Sequence, residues 1–139
     1  MMVRTRLFDG MAQVLELLDA RGIAWGVVSN KVERYVRPIM AHLGVLERSV
    51  AAIGGDTTAH AKPHPEPLLH AARAARADPG RCVYVGDDAR DVEAGRAAGM
   101  YTIAAAYGFC GDASPPHAWG ADRLIDAPVE LVALFADGR

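Results

Sequence analysis

Short apolar runs alternate with amphipathic segments along this 139-residue chain, and no other feature of the sequence constrains its fold as strongly. The apolar runs are residues 23–28, 50–55, 82–86 and 101–106, of which 50–55 is the weakest strand candidate. They lack polar alternation, which is typical of parallel strands covered on both faces. We therefore predict an α/β fold: a three-layer open parallel sheet with right-handed crossovers and helices on both faces.

The segments between these runs repeat apolar residues at helical spacing and predict helices. The first helix follows Asp9, a candidate N-cap, and ends at Gly22; the second contains Pro38, where it must kink or restart. Further helices are predicted over residues 68–77, 92–99 and 128–135. Residues 108–122 are rich in Gly and Pro and predict a loop.

Composition argues for a single domain over residues 1–139 and against several function classes. A formal net charge of −2 disfavours nucleic acid as a partner. No apolar run approaches the ~20 residues of a membrane span, and the first residues lack the apolar region of a secretion signal. Cys82 and Cys110 form no CxxC pair. We expect a cytoplasmic protein with reduced thiols and no membrane partner.

Three carboxylates, Asp87, Asp88 and Asp91, fall within five positions directly after the apolar run 82–86. Like charges this close repel one another unless a cation lies between them. The alternative is a solvated turn followed by a helix N-terminus, which favours acidic side chains. The stretch alone leaves both interpretations open.

Other polar residues follow strands at positions that predict a shared site. Ser29 and Asn30 come directly after the run 23–28, and Lys62 precedes Pro63 just before a helix. Ligands of open α/β sheets bind beyond the carboxyl ends of the strands. Ser29 and Asn30 would otherwise cap the next helix, and Lys62 would be a surface lysine. Together with the aspartates, however, they suggest a phosphate site with a bound magnesium ion.

At this point the sequence resembles the haloacid dehalogenase-like superfamily of phosphohydrolases, and within it the phosphoglycolate phosphatase type. The resemblance rests on the motifs VVSN, KPHPEP and VGDDARDVEAGRAAGM, in this order, and extends from about Phe8 to the end of the chain. Each short motif is weak alone, but their order and spacing are specific.

The resemblance implies a role for each matching residue. Ser29 would hydrogen-bond the phosphoryl group, with Asn30 adding a backbone contact. Lys62 would orient the nucleophile and stabilise the charge of the transferring phosphoryl group, so Ser29 and Lys62 are the candidate catalytic residues. Asp87 would bind Mg²⁺, with Asp88 and Asp91 in direct contact with the metal or one shell behind it. The implied substrate is a small phosphorylated metabolite.

The chain departs from the family pattern at its start. The family's first motif, Asp-x-Asp at the end of a central strand, supplies the aspartyl nucleophile and the general acid, and no Asp-x-Asp occurs in this sequence. The region matching LFDGMAQVLELL follows the helical cap in family members that have one. We therefore expect a carboxyl-terminal core that lacks the central first strand and the substrate-selecting cap, so the substrate stays unidentified.

Two functional hypotheses follow from this departure. The first is a Mg²⁺-dependent phosphomonoester hydrolase, converting 2-phosphoglycolate to glycolate and phosphate through an aspartyl-phosphate, that is inactive as this chain alone. The second is a non-catalytic module that binds phosphate or metal, or that completes another chain. In either case we expect IAWGVV to pair directly with CVYVG, or a strand from a second copy to fill the central position and create a homo-oligomer.

Overall fold

The computed structural model describes residues 11–30, 32–42, 44, 46–106 and 115–136. The expectations for Asp9, Cys110 and the first part of the predicted loop lie outside these residues. Within the described residues, the helices are α1 (Met11–Ala20), α2 (Glu33–His42), α3 (Glu66–Ala74), α4 (Ala89–Ala97) and α5 (Glu130–Ala136). The strands are β1 (Val27–Val28), β2 (Ala52–Ile53), β3 (Val83–Gly86), β4 (Tyr101–Ala105) and β5 (Arg123–Ile125). Among these helices, none has the length and apolar character needed to cross a bilayer.

All described strand pairs are parallel, as the continuous apolar runs predict. β1 pairs with β2, and β4 lies between β3 and β5. The parallel α/β class is therefore confirmed. The described strands form two sheets, of two and three strands.

Direct pairing of β1 with β3, one of the two expected arrangements, is wrong for the described strands. The two strands belong to different sheets. The carbonyl of Val28 accepts a hydrogen bond from Lys62 Nζ, and the Tyr84 hydroxyl lies 3.4 Å from the same oxygen, so side chains contact this carbonyl. Filling by a second copy stays a prediction.

Helices cover both faces of the strands, which accounts for the absence of polar alternation. Successive strand residues point to opposite faces. Val27 and Val85 pack with side chains of α1, α2 and α5, whereas their neighbours Val28 and Tyr84 pack with side chains of α3 and α4. The predicted layers are therefore present on both sides.

Helix α2 continues through Pro38 from Glu33 to His42, so the restart, one of the two expectations for Pro38, does not occur. The predicted start of helix α4 needs correction. Helix α4 begins at Ala89, three residues earlier than predicted, because the side chain of Asp88 accepts a hydrogen bond from the backbone N–H of Arg90 and caps the helix.

Strand β5 was not predicted. It has three residues, of which Arg123 and Leu124 are exposed and Ile125 is buried. Such a short strand carries neither an apolar run nor a clear alternation, so its pairing with β4 depends on tertiary contacts. One of these is Asp122, whose carboxylate accepts hydrogen bonds from the backbone N–H and hydroxyl of Thr102.

Candidate active site

Polar side chains lie at the carboxyl ends of β1 and β3, as the sequence predicts. Ser29 follows β1 and Asp87 follows β3, and both residues are buried. Lys62 lies between β2 and α3 and is also buried, which excludes the surface-lysine interpretation. The backbone N–H of Ser29 donates to Ile53 O of β2 at 2.9 Å, so this N–H is already used within the sheet.

The ammonium of Lys62 lies among three oxygen acceptors. Its Nζ is 2.5 Å from Asp91 Oδ1, 3.0 Å from the hydroxyl of Tyr84 and 3.2 Å from the carbonyl of Val28. The side chains of Lys62 and Asp91 are each only 3% exposed. Lys62 therefore links the ends of β1 and β3 through a dry ion pair.

Tyr84 completes this cluster from the middle of β3. Its hydroxyl lies 3.2 Å from Asp91 Oδ1, the same carboxylate oxygen that Lys62 contacts. Burial, followed by the charge of Asp91 and the hydrogen bond to it, raises the pKa of Tyr84 well above its usual value. The phenol therefore stays protonated at neutral pH and donates to the carboxylate while it accepts from the ammonium.

Asn30 holds the backbone of Lys62. Its side-chain nitrogen donates to Lys62 O at 3.2 Å, and its side-chain oxygen accepts from Lys62 N at 3.1 Å. At the start of α2, the backbone N–H of Glu33 donates to Asp56 Oδ1 at 2.7 Å. The side chain of Asn30 thus positions Lys62, and the helix-capping alternative is wrong for this side chain.

The three aspartates have different surroundings. Asp91 lies in the first turn of α4, and its Oδ2 accepts from Asp87 N at 3.1 Å. Asp88 caps α4 and forms an ion pair with Arg90 at 3.2 Å, with its side chain 44% exposed. Burial alone would raise the pKa of Asp88, but the hydrogen bonds from Arg90 outweigh burial and lower it. The helix-terminus interpretation is therefore correct for Asp88.

These contacts bear on whether the aspartates fit a magnesium ion. The described residues contain no group of three His, Cys, Asp or Glu side chains placed to hold a metal. Mg²⁺ requires close to octahedral oxygen coordination. Asp88 and Asp91 use their carboxylates in the contacts above, so the three aspartates do not form a complete Mg²⁺ site by themselves. Any such site needs oxygen ligands beyond them.

Two glycines allow the elements around Lys62 to approach closely. A Cβ on Gly86 would lie 2.1 Å from Cβ of Asp91, and a Cβ on Gly55 would lie 2.4 Å from the carbonyl oxygen of Asn30. Real Cβ atoms do not approach other atoms so closely. Glycine at these positions therefore brings α4 against β3 and the end of β1 against the segment after β2.

Sequence reasoning missed Tyr84 because it lies inside an apolar run and was counted only as a strand former. A signal was present, since a buried tyrosine hydroxyl usually needs a polar partner. A tyrosine three positions before a predicted cluster of carboxylates identifies a candidate donor to that cluster.

Parallel strands with buried polar residues at their carboxyl ends define an α/β protein, a class in which ligands bind beyond those strand ends. A family model described as haloacid dehalogenase-like hydrolase matches residues 2–99. The chain belongs to the haloacid dehalogenase-like hydrolase family.

Two of the most similar curated relatives bear different names. N-acetylmuramic acid 6-phosphate phosphatase from Pseudomonas putida is 44% identical over 129 residues, which cover 93% of this chain and 58% of the relative. Phosphoglycolate phosphatase from Xylella fastidiosa is 46% identical over 121 residues, which cover 87% of this chain and 53% of the relative. The chain therefore spans somewhat more than half the length of these relatives.

Solved structures share the fold. The crystal structure of a predicted phosphoglycolate phosphatase from Haemophilus somnus matches with a TM-score of 0.87 and 27% identity, covering 94% of this chain and 57% of that one. CbbY from Rhodobacter sphaeroides, solved in complex with phosphate, matches with a TM-score of 0.78 and 25% identity, covering 91% of this chain and 56% of that one.

Proposed function

We propose that this chain forms the carboxyl-terminal core of a Mg²⁺-dependent phosphomonoester hydrolase. The observation that carries the proposal is the buried Lys62–Asp91 pair, which joins the ends of β1 and β3 where Ser29 and Asp87 lie. A dry ammonium suits a dianionic phosphoryl group, since electrostatic stabilisation is strong where water is excluded.

The proposed roles follow from the contacts. Ser29 would contribute its hydroxyl to a phosphoryl oxygen, because its backbone N–H is bound to Ile53 O. Lys62 would stabilise the phosphoryl charge, and Asn30 would hold the backbone of Lys62 in place through its two hydrogen bonds. Asp91 would hold the ammonium in the site.

We propose that the nucleophile comes from residues outside this sequence, because the sequence contains no Asp-x-Asp pair. In the complete reaction an aspartate carboxylate would attack phosphorus and form an aspartyl-phosphate, and water would then hydrolyse it. We propose that the chain is inactive without a segment that supplies this aspartate.

Magnesium, when bound, would neutralise phosphoryl charge. We propose Asp87 as a metal ligand of this chain, with Asp91 one shell behind it because it pairs with Lys62, and Asp88 least involved because it caps α4. Asp87→Asn should then weaken Mg²⁺ activation of a completed enzyme far more than Asp88→Asn, an amide that still caps the helix. Equal effects would contradict this assignment.

The substrate is proposed to be a small phosphorylated metabolite. Phosphoglycolate and N-acetylmuramic acid 6-phosphate are the two candidates, because curated relatives of similar identity bear those names. A phosphate complex of CbbY supports a phosphoryl site in this fold.

The test is phosphate release from both substrates by a completed enzyme, in which this chain follows an amino-terminal segment of a family member that carries the Asp-x-Asp strand and a cap. We expect Mg²⁺-dependent hydrolysis by the completed enzyme. The chain alone should release phosphate no faster than its Lys62→Ala variant. A folded completed enzyme without activity on phosphomonoesters would overturn the proposal.

The second candidate is a non-catalytic module that completes another chain. It is favoured by the separation of β1 and β3 into two sheets among the described strands. In this case a strand from a partner or a second copy would pair between them. Sedimentation of the chain at several concentrations tests self-association: a concentration-dependent dimer supports the homo-oligomer, and a monomer at every concentration contradicts it.

A further inference from the structure

The carbonyl of Val28 lies on the edge of β1 that faces away from β2. Backbone groups of nearby residues form hydrogen bonds with the segment that contains β2, namely Trp25 O, Val27 N and Ser29 N. Because the backbone groups of successive strand residues point to opposite sides, those of Val28 point the other way. They face the position of β3.

Two side chains lie within hydrogen-bonding distance of this carbonyl oxygen. Tyr84 from β3 places its hydroxyl 3.4 Å from Val28 O, and Lys62 from the loop before α3 places Nζ 3.2 Å from the same atom. The Tyr84 hydroxyl is also 3.0 Å from Lys62 Nζ and 3.2 Å from Asp91 Oδ1. It is thus within hydrogen-bonding reach of the backbone of one strand, the ammonium and the carboxylate.

We propose that Tyr84 is a positioning residue, whose hydroxyl fixes Lys62 Nζ between the Val28 carbonyl and the Asp91 carboxylate. A lysine side chain has four flexible methylene groups, and an ion pair alone sets a distance without a direction. The phenol adds a second, directional contact from a rigid ring on a strand. The Lys62 ammonium also lies 5.6 Å from the ring centroid, so the ring limits its movement on one side.

Tyr84 contacts no substrate in this role and acts through Lys62. The consequence for hydrolysis rests on the proposed function, whereas the positioning of the ammonium does not. If Lys62 has no part in a phosphatase, the contact with Tyr84 still exists, and a spectroscopic test on this chain separates the two ideas.

The test is nuclear magnetic resonance of the lysine ammonium groups. The sequence contains two lysines, Lys31 and Lys62, so ¹⁵Nζ-lysine labelling gives few signals, and Lys62→Arg assigns the one that disappears. We expect a Lys62 ammonium signal that exchanges slowly with water at neutral pH. In Tyr84→Phe this signal should shift, and its proton exchange should accelerate roughly tenfold, the loss of about one hydrogen bond.

Tyr35→Phe is the matched control, because Tyr35 is 54% exposed on α2 and should leave the Lys62 signal unchanged. An unchanged Lys62 signal in a folded Tyr84→Phe variant would overturn the proposal. If that variant does not fold, the measurement is made on the unaltered chain. We then expect a nuclear Overhauser effect between the ammonium protons of Lys62 and the Tyr84 ring, and its absence would refute the positioning role of Tyr84.

Discussion

Lys62 Nζ and Asp91 Oδ1 lie 2.5 Å apart, and each side chain is only 3% exposed. Little water reaches either charge at this exposure, so the ammonium and the carboxylate compensate each other directly. Buried ion pairs contribute little to stability relative to apolar residues, but removing one partner leaves an uncompensated charge. This pair therefore makes the site sensitive to single substitutions.

Lys62→Met should lower the free energy of unfolding by about 3–5 kcal/mol, because it leaves the Asp91 carboxylate buried without its ammonium. Adding Asp91→Asn should recover part of this loss, since the amide is neutral and still accepts a hydrogen bond from Asp87 N. Urea unfolding of both variants measures the difference. A double variant as unstable as the single one would show that the pair is not the source of the loss.

Gly86→Ala should destabilise the chain by roughly 1–3 kcal/mol, the usual cost of overpacking, because its Cβ would lie 2.1 Å from Cβ of Asp91. Gly80→Ala is the control: its Cβ would lie 3.5 Å from Asp78 Oδ1, an ordinary contact. Thermal unfolding of both variants tests the close approach of α4 to β3. Similar melting temperatures for the two variants would contradict it.

Stability should depend on the ionisation of Tyr84 at alkaline pH. Its pKa is raised well above 10 in the folded chain, first by burial and then by Asp91. In the unfolded chain the phenol ionises near pH 10. The contribution of the protonated Tyr84 phenol to the free energy of unfolding is therefore complete below about pH 10. Above pH 10 this contribution falls by about 1.4 kcal/mol per pH unit, until the pH reaches the pKa of Tyr84 in the folded chain.

The stability advantage of the unaltered chain over Tyr84→Phe should accordingly shrink as the pH rises from about 10 to about 11. Urea unfolding across this range, monitored by circular dichroism, measures the difference. An advantage that stays constant would mean that Tyr84 ionises in the folded chain as readily as in the unfolded one.

Strand ends can be identified from apolar runs, so the sequence predicted that Ser29 and Asp87 follow parallel strands. The structure places both residues, buried, directly after β1 and β3, and Lys62 contacts the Val28 carbonyl at the end of β1. That these residues form one phosphate site stays a prediction. The role of the Asn30 side chain could not be predicted because its partner is distant in sequence. The Asn30 side chain forms hydrogen bonds with the backbone of Lys62, 32 residues away, and no pattern near either residue predicts this contact.

The aspartates illustrate the same limit within one motif. Spacing alone could not distinguish Asp88, which caps α4, from Asp91, which lies one helical turn inside it and faces the buried Lys62. Strand β5 was not predicted, because its three residues are mostly exposed and form no apolar run. Local pattern identified the apolar strands, whereas partner choice depends on how elements pack.

We propose that Lys62 stabilises a phosphoryl group at the ends of β1 and β3. The most direct measurement is steady-state phosphate release by the completed enzyme and its Lys62→Ala variant, each with Mg²⁺ and with the fold verified by circular dichroism. We predict hydrolysis by the completed enzyme and a kcat lower by roughly 10²–10³-fold in the variant, the cost of removing one stabilising charge from a dry site. A folded Lys62→Ala variant that hydrolyses as fast as the completed enzyme would contradict the account.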